Sequence, residues 1–81
     1  MMEIRLMSYG GLTDITGSDA LGFAIPQQAF TVAKFKSLLL ARYPALEGKT
    51  FRIAVNERFV EGEFEVGSGD NVALIPPFSG G

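Results

Sequence analysis

A pair of prolines near the C-terminus, Pro76-Pro77, most strongly constrains how this chain can fold. The prolines follow an apolar run, residues 72–75, whose composition predicts a buried β-strand. Because proline has no amide hydrogen and a fixed φ, this strand cannot continue in a sheet into the prolines. Each proline also favours extended geometry in the residue before it. The sequence therefore predicts a globular domain over residues 1–75 and an extended tail over residues 76–81.

The predicted tail finishes on two glycines, Gly80-Gly81. Six extended residues can reach about 20 Å from the domain. Because glycine has no side chain, the terminal carboxylate could enter a channel only as wide as a backbone. Paired glycines also occur in frayed ends and expression scars. The order of strand, Pro-Pro and Gly-Gly nevertheless favours a protein whose reactive group is its own C-terminal carboxyl.

Residues 76–81, Pro-Pro-Phe-Ser-Gly-Gly, resemble the C-terminal signature of the small, sulfur-carrier subunit of molybdopterin synthase. The likeness extends to residues 54–56 (Ala-Val-Asn), Val60 and residues 69–73 (Gly-Asp-Asn-Val-Ala). Their order is similar to the family's AVN…V…GDEVA pattern. One difference lies in the first loop, where Thr13-Asp14 stands in place of the Arg-Glu usual in the family. An ion pair made by that arginine is therefore not carried over to this chain.

The resemblance implies a ubiquitin-like β-grasp fold, which is α+β: a mixed sheet of four to five strands with one main helix packed on one face. In that fold the first and last strands pair in parallel at the centre of the sheet. The resemblance also implies that Gly81 is adenylated and then converted to a thiocarboxylate. Its sulfur would pass to cyclic pyranopterin monophosphate in molybdenum cofactor biosynthesis. The residues that thread the tail into the partner would be Pro76, Pro77, Phe78, Ser79 and Gly80.

Three partners follow from the same resemblance. A ubiquitin-activator-like adenylyltransferase would use ATP and magnesium, and a persulfide donor would supply the sulfur. The large subunit of molybdopterin synthase would receive it, in a heterotetramer. This chain would be the non-catalytic sulfur-donor subunit and would itself bind no cofactor and no metal.

Periodicity along the chain predicts the order strand, strand, helix, strand, short strand, strand. The helix is expected over residues 32–43, with Thr31 as its N-cap and Pro44 beyond its end. Its apolar stripe, expected to pack in the core, is Val32, Phe35, Leu38, Leu39 and Tyr43. Residues 12–19 are expected to form a loop that could include a helical turn. The strands are expected at residues 3–9, 21–25, 51–56, 59–60 and 72–75.

Three glutamates alternate along residues 61–66, as Glu61, Glu63 and Glu65. The alternation favours a solvated edge strand over an acidic binding patch, because edge strands often carry charge. Alternate positions on one strand also lie too far apart to converge on a metal ion.

Alternation further predicts an apolar surface on the sheet face away from the helix. The positions expected to face the helix are Ile4, Leu6, Phe51, Ile53, Val55, Val72 and Leu74. The positions then pointing away are Met7, Tyr9, Ala54, Ala73 and Ile75. A small protein that exposes such a patch is usually a docking partner. We expect Phe59, Ile75 and Phe78 to anchor a hydrophobic interface beside the tail. In the family that this chain resembles, the positions matching Phe59 and Ile75 contact the partner. The alternative is that loops fold back and cover these residues.

Composition limits the function classes. With 81 residues, no cysteine and no histidine, the chain lacks a thiolate nucleophile and the commonest acid–base side chain. A sulfur carrier of this composition must hold sulfur on a group other than a thiol. A net charge of −2 argues against nucleic acid as a partner, because nucleic-acid-binding proteins carry a basic surface. It weakly favours a partner with a basic surface. No apolar run suggests a membrane span or a signal peptide, so the cytoplasm is the expected compartment.

Three other functions stay open at this point. The same fold and Gly-Gly end serve sulfur carriers for thiamine or cysteine synthesis, although the thiamine carrier typically lacks the preceding Pro-Pro. The same tail would also serve a ubiquitin-like modifier that forms isopeptide bonds to lysines. Finally, the chain could be an interaction domain in which the tail has no role.

Overall fold

The computed structural model describes residues 2–26 and 30–77 of the chain. No helix in these two segments is long and apolar enough to cross a membrane. The strands are β1 (Met2–Ser8), β2 (Ala20–Ile25), β3 (Phe30–Thr31), β4 (Arg52–Val55), β5 (Arg58–Phe59), β6 (Glu65–Val66) and β7 (Asn71–Ile75). The helices are α1 (Leu12–Thr16) and α2 (Val32–Arg42), followed by a 3₁₀ turn, Pro44–Leu46.

Five strands form one mixed sheet in the order β2-β1-β7-β4-β5. The first strand, β1, pairs in parallel with the last, β7, and the register places Leu6 opposite Val72. The other pairings in this sheet are antiparallel. The predicted α+β architecture, with its parallel central pair and one main helix, is thereby confirmed.

Helix α2 begins where the sequence predicts it. The Thr31 hydroxyl accepts a hydrogen bond from the Lys34 amide at 3.2 Å, which satisfies one of the free donors at the helix start. The helix ends at Arg42, and the Tyr43 amide donates to the Leu39 carbonyl at 2.8 Å. The end lies one residue before the predicted one, because Pro44 disfavours helical geometry at Tyr43.

The core lies between α2 and one face of the sheet. Phe35 of α2 and Phe23 of β2 are almost completely buried, and their rings meet edge to face with centroids 5.6 Å apart. Burial of each such side chain contributes about 1.5–3 kcal/mol to folding. Of the predicted helix stripe, Val32 and Leu39 are also buried, whereas Leu38 and Tyr43 pack at the edge of the core.

The expectation of one continuous strand over residues 61–66 is wrong. Only Glu65–Val66 is a strand, and it pairs with β3 in a separate two-stranded sheet that the sequence did not predict. The residues before it turn, with Gly62 at φ +52°, and their carbonyls cap α2: the Val32 amide donates to Phe64 O at 2.8 Å, and the Ala33 amide to Gly62 O at 3.0 Å. Capping the helix therefore decides the local structure. The carboxylates of Glu61, Glu63 and Glu65 are exposed, as predicted.

Residues 12–19, expected as a loop with a possible helical turn, contain the short helix α1. A buried hydrogen bond of 3.0 Å joins the hydroxyls of Ser8 and Thr16, and the Thr13 hydroxyl donates to the Ser8 carbonyl at 3.1 Å. These bonds attach α1 to the end of β1. Thr13, one of the two residues that depart from the family pattern, therefore has a structural role here, while Asp14 is exposed.

The family-like stretches 54–56 and 69–73 meet in a hydrogen-bonded cluster. The Asn56 side chain donates to Asp70 Oδ1 at 3.2 Å and accepts from the Asn71 amide at 3.0 Å. Asp70 Oδ2 in turn accepts from the Gly67 amide at 2.7 Å. This cluster fixes the β4–β5 turn against the start of β7. Asn56 and Asp70, two residues of the family-like stretches, therefore have structural roles.

Two substitutions in the β4–β5 turn are expected to change stability in opposite directions. Asn56 and Glu57 both have positive φ, 51° and 71°, which fits the two-residue turn in which Asn-Gly is preferred. Glu57→Gly should therefore stabilise the fold by about 0.5–1 kcal/mol, since it removes the strain of a Cβ in left-handed geometry. Asn56→Ala should destabilise it by about 1–2 kcal/mol through its lost hydrogen bonds. Urea unfolding of both variants checks this, and a shift of both in the same direction would contradict it.

Candidate functional site: the open sheet face and the tail exit

The sheet face opposite α2 carries a row of apolar side chains across four strands. The register places Met7, Ala73, Ala54 and Phe59 side by side on β1, β7, β4 and β5. The two alanines are buried, Met7 is half-buried, and Phe59 is 53% exposed. The prediction that alternation puts an apolar row on this face is confirmed.

This row forms the floor of a concavity of about 440 Å³, which we call the open face. Tyr9 and Ile75 complete its apolar lining, and Arg5, Glu57 and Asn71 add polar groups. Tyr9 is 47% exposed and Ile75 is half-buried, so no described loop folds back to cover them. The alternative that loops cover this surface therefore does not hold for residues 2–26 and 30–77.

An arginine that the sequence analysis missed also belongs to this face. The guanidinium carbon of Arg52 lies 3.9 Å from the centre of the Phe59 ring, and Arg52 is the direct cross-strand partner of Ile75. The sequence signal for Arg52 is its spacing from Ala54: residues two apart on a strand share a face, and alternation predicts that Ala54 points away from the helix.

The last strand, β7, ends at the edge of the open face. β7 ends at Ile75, as the prolines predict, and Pro76 and Pro77 line a second concavity of about 350 Å³ together with α1 and the loop around Lys49. Gly10, at φ +59°, lies against Pro76: a Cβ on Gly10 would be 3.4 Å from Pro76 Cγ. Since Ile75 lines the open face and immediately precedes Pro76, the tail starts beside that face.

The predicted site residues thus fall into two groups. Phe59 and Ile75 lie together on the open face, and Pro76 and Pro77 lie at the start of the tail. Phe78, Ser79, Gly80 and Gly81 lie outside the described residues, so their predicted roles in docking, threading and sulfur transfer stay predictions. Within the described segments, no three acidic, histidine or cysteine side chains are grouped so that they could hold a metal ion.

Comparison with known proteins agrees with this architecture. The ThiS family profile matches residues 12–81. A molybdopterin synthase sulfur carrier subunit of Chlamydomonas reinhardtii is 30% identical over 84 residues, covering 99% of this chain and 100% of that protein.

Solved structures at lower identity show the same fold. A putative molybdopterin converting factor, subunit 1, of Pyrococcus furiosus superposes with a TM-score of 0.85 at 20% identity, over 95% of this chain and 99% of that one. Small archaeal modifier protein 1 of Haloferax volcanii superposes with a TM-score of 0.81 at 20% identity, over 95% of this chain and 99% of that one. The complex of subunits 1 and 2 of molybdopterin-converting factor from Helicobacter pylori gives 0.69 at 17% identity, over 99% of this chain and 100% of the matched one.

The mixed sheet with one helix on one face is a ubiquitin-like β-grasp, and its open apolar face beside the last strand is typical of a small protein that works by docking. The chain belongs to the ThiS family. The family resemblance predicted from the sequence is thereby confirmed.

Proposed function

We propose that this chain is the sulfur-carrier subunit of a molybdopterin synthase and that the carboxyl of Gly81 carries the sulfur as a thiocarboxylate. The observation that carries the proposal is the continuity between the open face and the start of the tail, through Ile75 and Pro76. The full-length similarity to a protein named as such a subunit supports it. On this proposal the chain is a sulfur donor, and the partner subunit provides the catalytic side chains.

The chemistry at Gly81 needs activation, because a carboxylate is a poor acyl donor whose leaving group would be oxide. Attack of the carboxylate on the α-phosphorus of ATP releases pyrophosphate and gives an acyl-adenylate. A persulfide sulfur then attacks the acyl carbon and AMP leaves. A thiol cleaves the resulting acyl disulfide, which leaves a thiocarboxylate on Gly81 and a disulfide on the donor. The activating enzyme supplies ATP, magnesium and their binding groups, so no side chain of this chain enters these steps.

Delivery of the sulfur depends on position. Docking through the open face would hold the tail at the entrance of the partner's active site, and tethered reactants gain a large entropic advantage over free sulfide. The acceptor we propose is cyclic pyranopterin monophosphate, which needs two sulfurs to become the dithiolene. Each product needs two carriers loaded with sulfur, which fits a heterotetramer of two carriers and two large subunits. The Helicobacter pylori complex is likewise named as one of subunits 1 and 2.

Single-turnover reconstitution tests this proposal. The chain is prepared with a C-terminal thiocarboxylate and mixed with the large subunit from the same organism and the cyclic pyranopterin. We expect molybdopterin to form with consumption of two thiocarboxylates per product. The matched control is the same chain with an ordinary carboxylate, which should give no product. Absence of product from the thiocarboxylate form, with a large subunit that is active with a known carrier, would overturn the proposal.

A second function, protein modification, is favoured by one observation. The fold is also similar to a protein named small archaeal modifier protein 1, and a Gly-Gly end could form an isopeptide bond after the same adenylation. In cells that express a tagged chain, a modifier would form high-mass adducts in which Gly81 is linked to lysines. A dedicated carrier would give only the free chain and its complexes.

A further inference from the structure

Arg52 is the charged residue at the tail end of the open face. It lies on β4 directly opposite Ile75, the last strand residue before the tail. The charged groups that line the concavity itself, Arg5 and Glu57, lie at its opposite end. Arg5 pairs with Asn71, the first residue of β7. A partner that binds the open face as far as the start of the tail therefore comes close to Arg52.

The Arg52 side chain is held in place by Phe59. With its guanidinium carbon 3.9 Å from the ring centre, the charged group lies on the face of the ring. The N–H donors of a guanidinium lie in its own plane, so a guanidinium held over a ring can still form two parallel bonds to one carboxylate. The contact with the ring also reduces the side-chain entropy lost on binding, because it favours one position of Arg52 before the partner arrives.

We propose that Arg52 is the recognition residue of the open face and binds a carboxylate of the protein partner. The partner surface would present an apolar side chain to Phe59 and Ile75, with an Asp or Glu beside it. This inference rests on the proposed function, because it takes the open face as the docking surface. It also differs from what the whole-chain charge of −2 suggests, since the contact expected here is with an acidic group rather than a basic one.

The test is a charge reversal with a matched control on the same hairpin. Arg52→Glu places a negative charge on the open face. Arg58→Glu makes the same change in net charge one strand away, but Arg58 is opposite Val55, whose side chain is in the core, so it projects from the other face. Affinity for the large subunit from the same organism is measured by calorimetry at low and high salt, after thermal unfolding has shown that both variants are folded.

We expect Arg52→Glu to weaken binding by roughly tenfold or more at low salt, and by less at high salt, where the lost attraction is screened. Arg52→Lys should weaken it by a smaller factor, because lysine keeps the charge but not the planar donor pair. Arg58→Glu should stay within about twofold of the wild-type affinity. Reversal of one acidic residue of the large subunit to Lys should restore binding of the Arg52→Glu chain.

Equal effects of Arg52→Glu and Arg58→Glu would overturn the inference, because net charge alone would then explain the loss. Wild-type affinity of the Arg52→Glu chain would overturn it as well, while the proposed function would stand. If the wild-type chain itself fails to bind the large subunit, the proposed function fails and this inference fails with it.

Discussion

Deletion of Gly81 is expected to reduce sulfur transfer to the background given by free sulfide. The shortened chain still ends in a glycine carboxyl, but that carboxyl stops about 3.3 Å short of the position reached by the full tail. Misplacement of a reacting group by about 1 Å can cost roughly 100-fold in rate, so the loss should exceed that factor. Molybdopterin formation in the reconstituted system measures it, because every other component is unchanged.

Two controls separate this loss from a folding or docking defect. The shortened chain should unfold at the wild-type temperature, since β7 ends six residues before the deletion, at Ile75. It should also bind the large subunit through the open face with an affinity close to that of the full chain. Wild-type sulfur transfer by the shortened chain would show that the tail has no role and would favour the interaction-domain alternative.

Substitution of Phe59 by Asp is expected to have the second largest effect, a loss of binding to the large subunit of at least roughly 30-fold. Phe59 is 53% exposed in the free chain and lies at the end of the apolar row that forms the floor of the open face. Aromatic residues that become fully buried at an interface commonly contribute 2 kcal/mol or more, and burial of a new carboxylate in their place adds a desolvation cost. Surface plasmon resonance or calorimetry measures the loss.

Phe64→Asp is the matched control, because Phe64 is another exposed phenylalanine but lies in the turn that caps α2, away from the open face. It should bind the large subunit with nearly wild-type affinity. Ile75→Asp should behave like Phe59→Asp, since Ile75 lines the same concavity. Unfolding of the Phe59→Asp chain would show that Phe59 belongs to the core, and a loss of the same size in Phe64→Asp would show that the effect is not specific to the open face.

The sequence predicted much of the architecture because its strongest local signals agree with the tertiary packing. Thr31 and Pro44 bracket α2 to within a residue, since capping and proline geometry act locally. The parallel pairing of β1 with β7 is different: it joins segments far apart in the chain, and periodicity does not specify it. It was predicted through the family resemblance.

Two features escaped prediction because long-range partners decide them. The alternating glutamates predict a strand, but most of this segment forms a turn. There the carbonyls of Gly62 and Phe64 accept hydrogen bonds from the first amides of α2. The proximity of Arg52 to Phe59 depends on how closely β4 and β5 pair across their turn. The open apolar face, by contrast, followed from alternation alone, since residues two apart on a strand share a face.

The central claim, that sulfur is carried on the main-chain carboxyl of Gly81, is tested most directly by intact-mass analysis. The chain is incubated with ATP, magnesium, a ubiquitin-activator-like adenylyltransferase and a persulfide donor, and the C-terminal fragment is then isolated. We predict a mass gain equal to replacement of one oxygen by sulfur, localised to Gly81 and absent without ATP or after addition of one alanine beyond Gly81. An unchanged mass under conditions that charge a known carrier, or a gain localised to any other residue, would contradict the account.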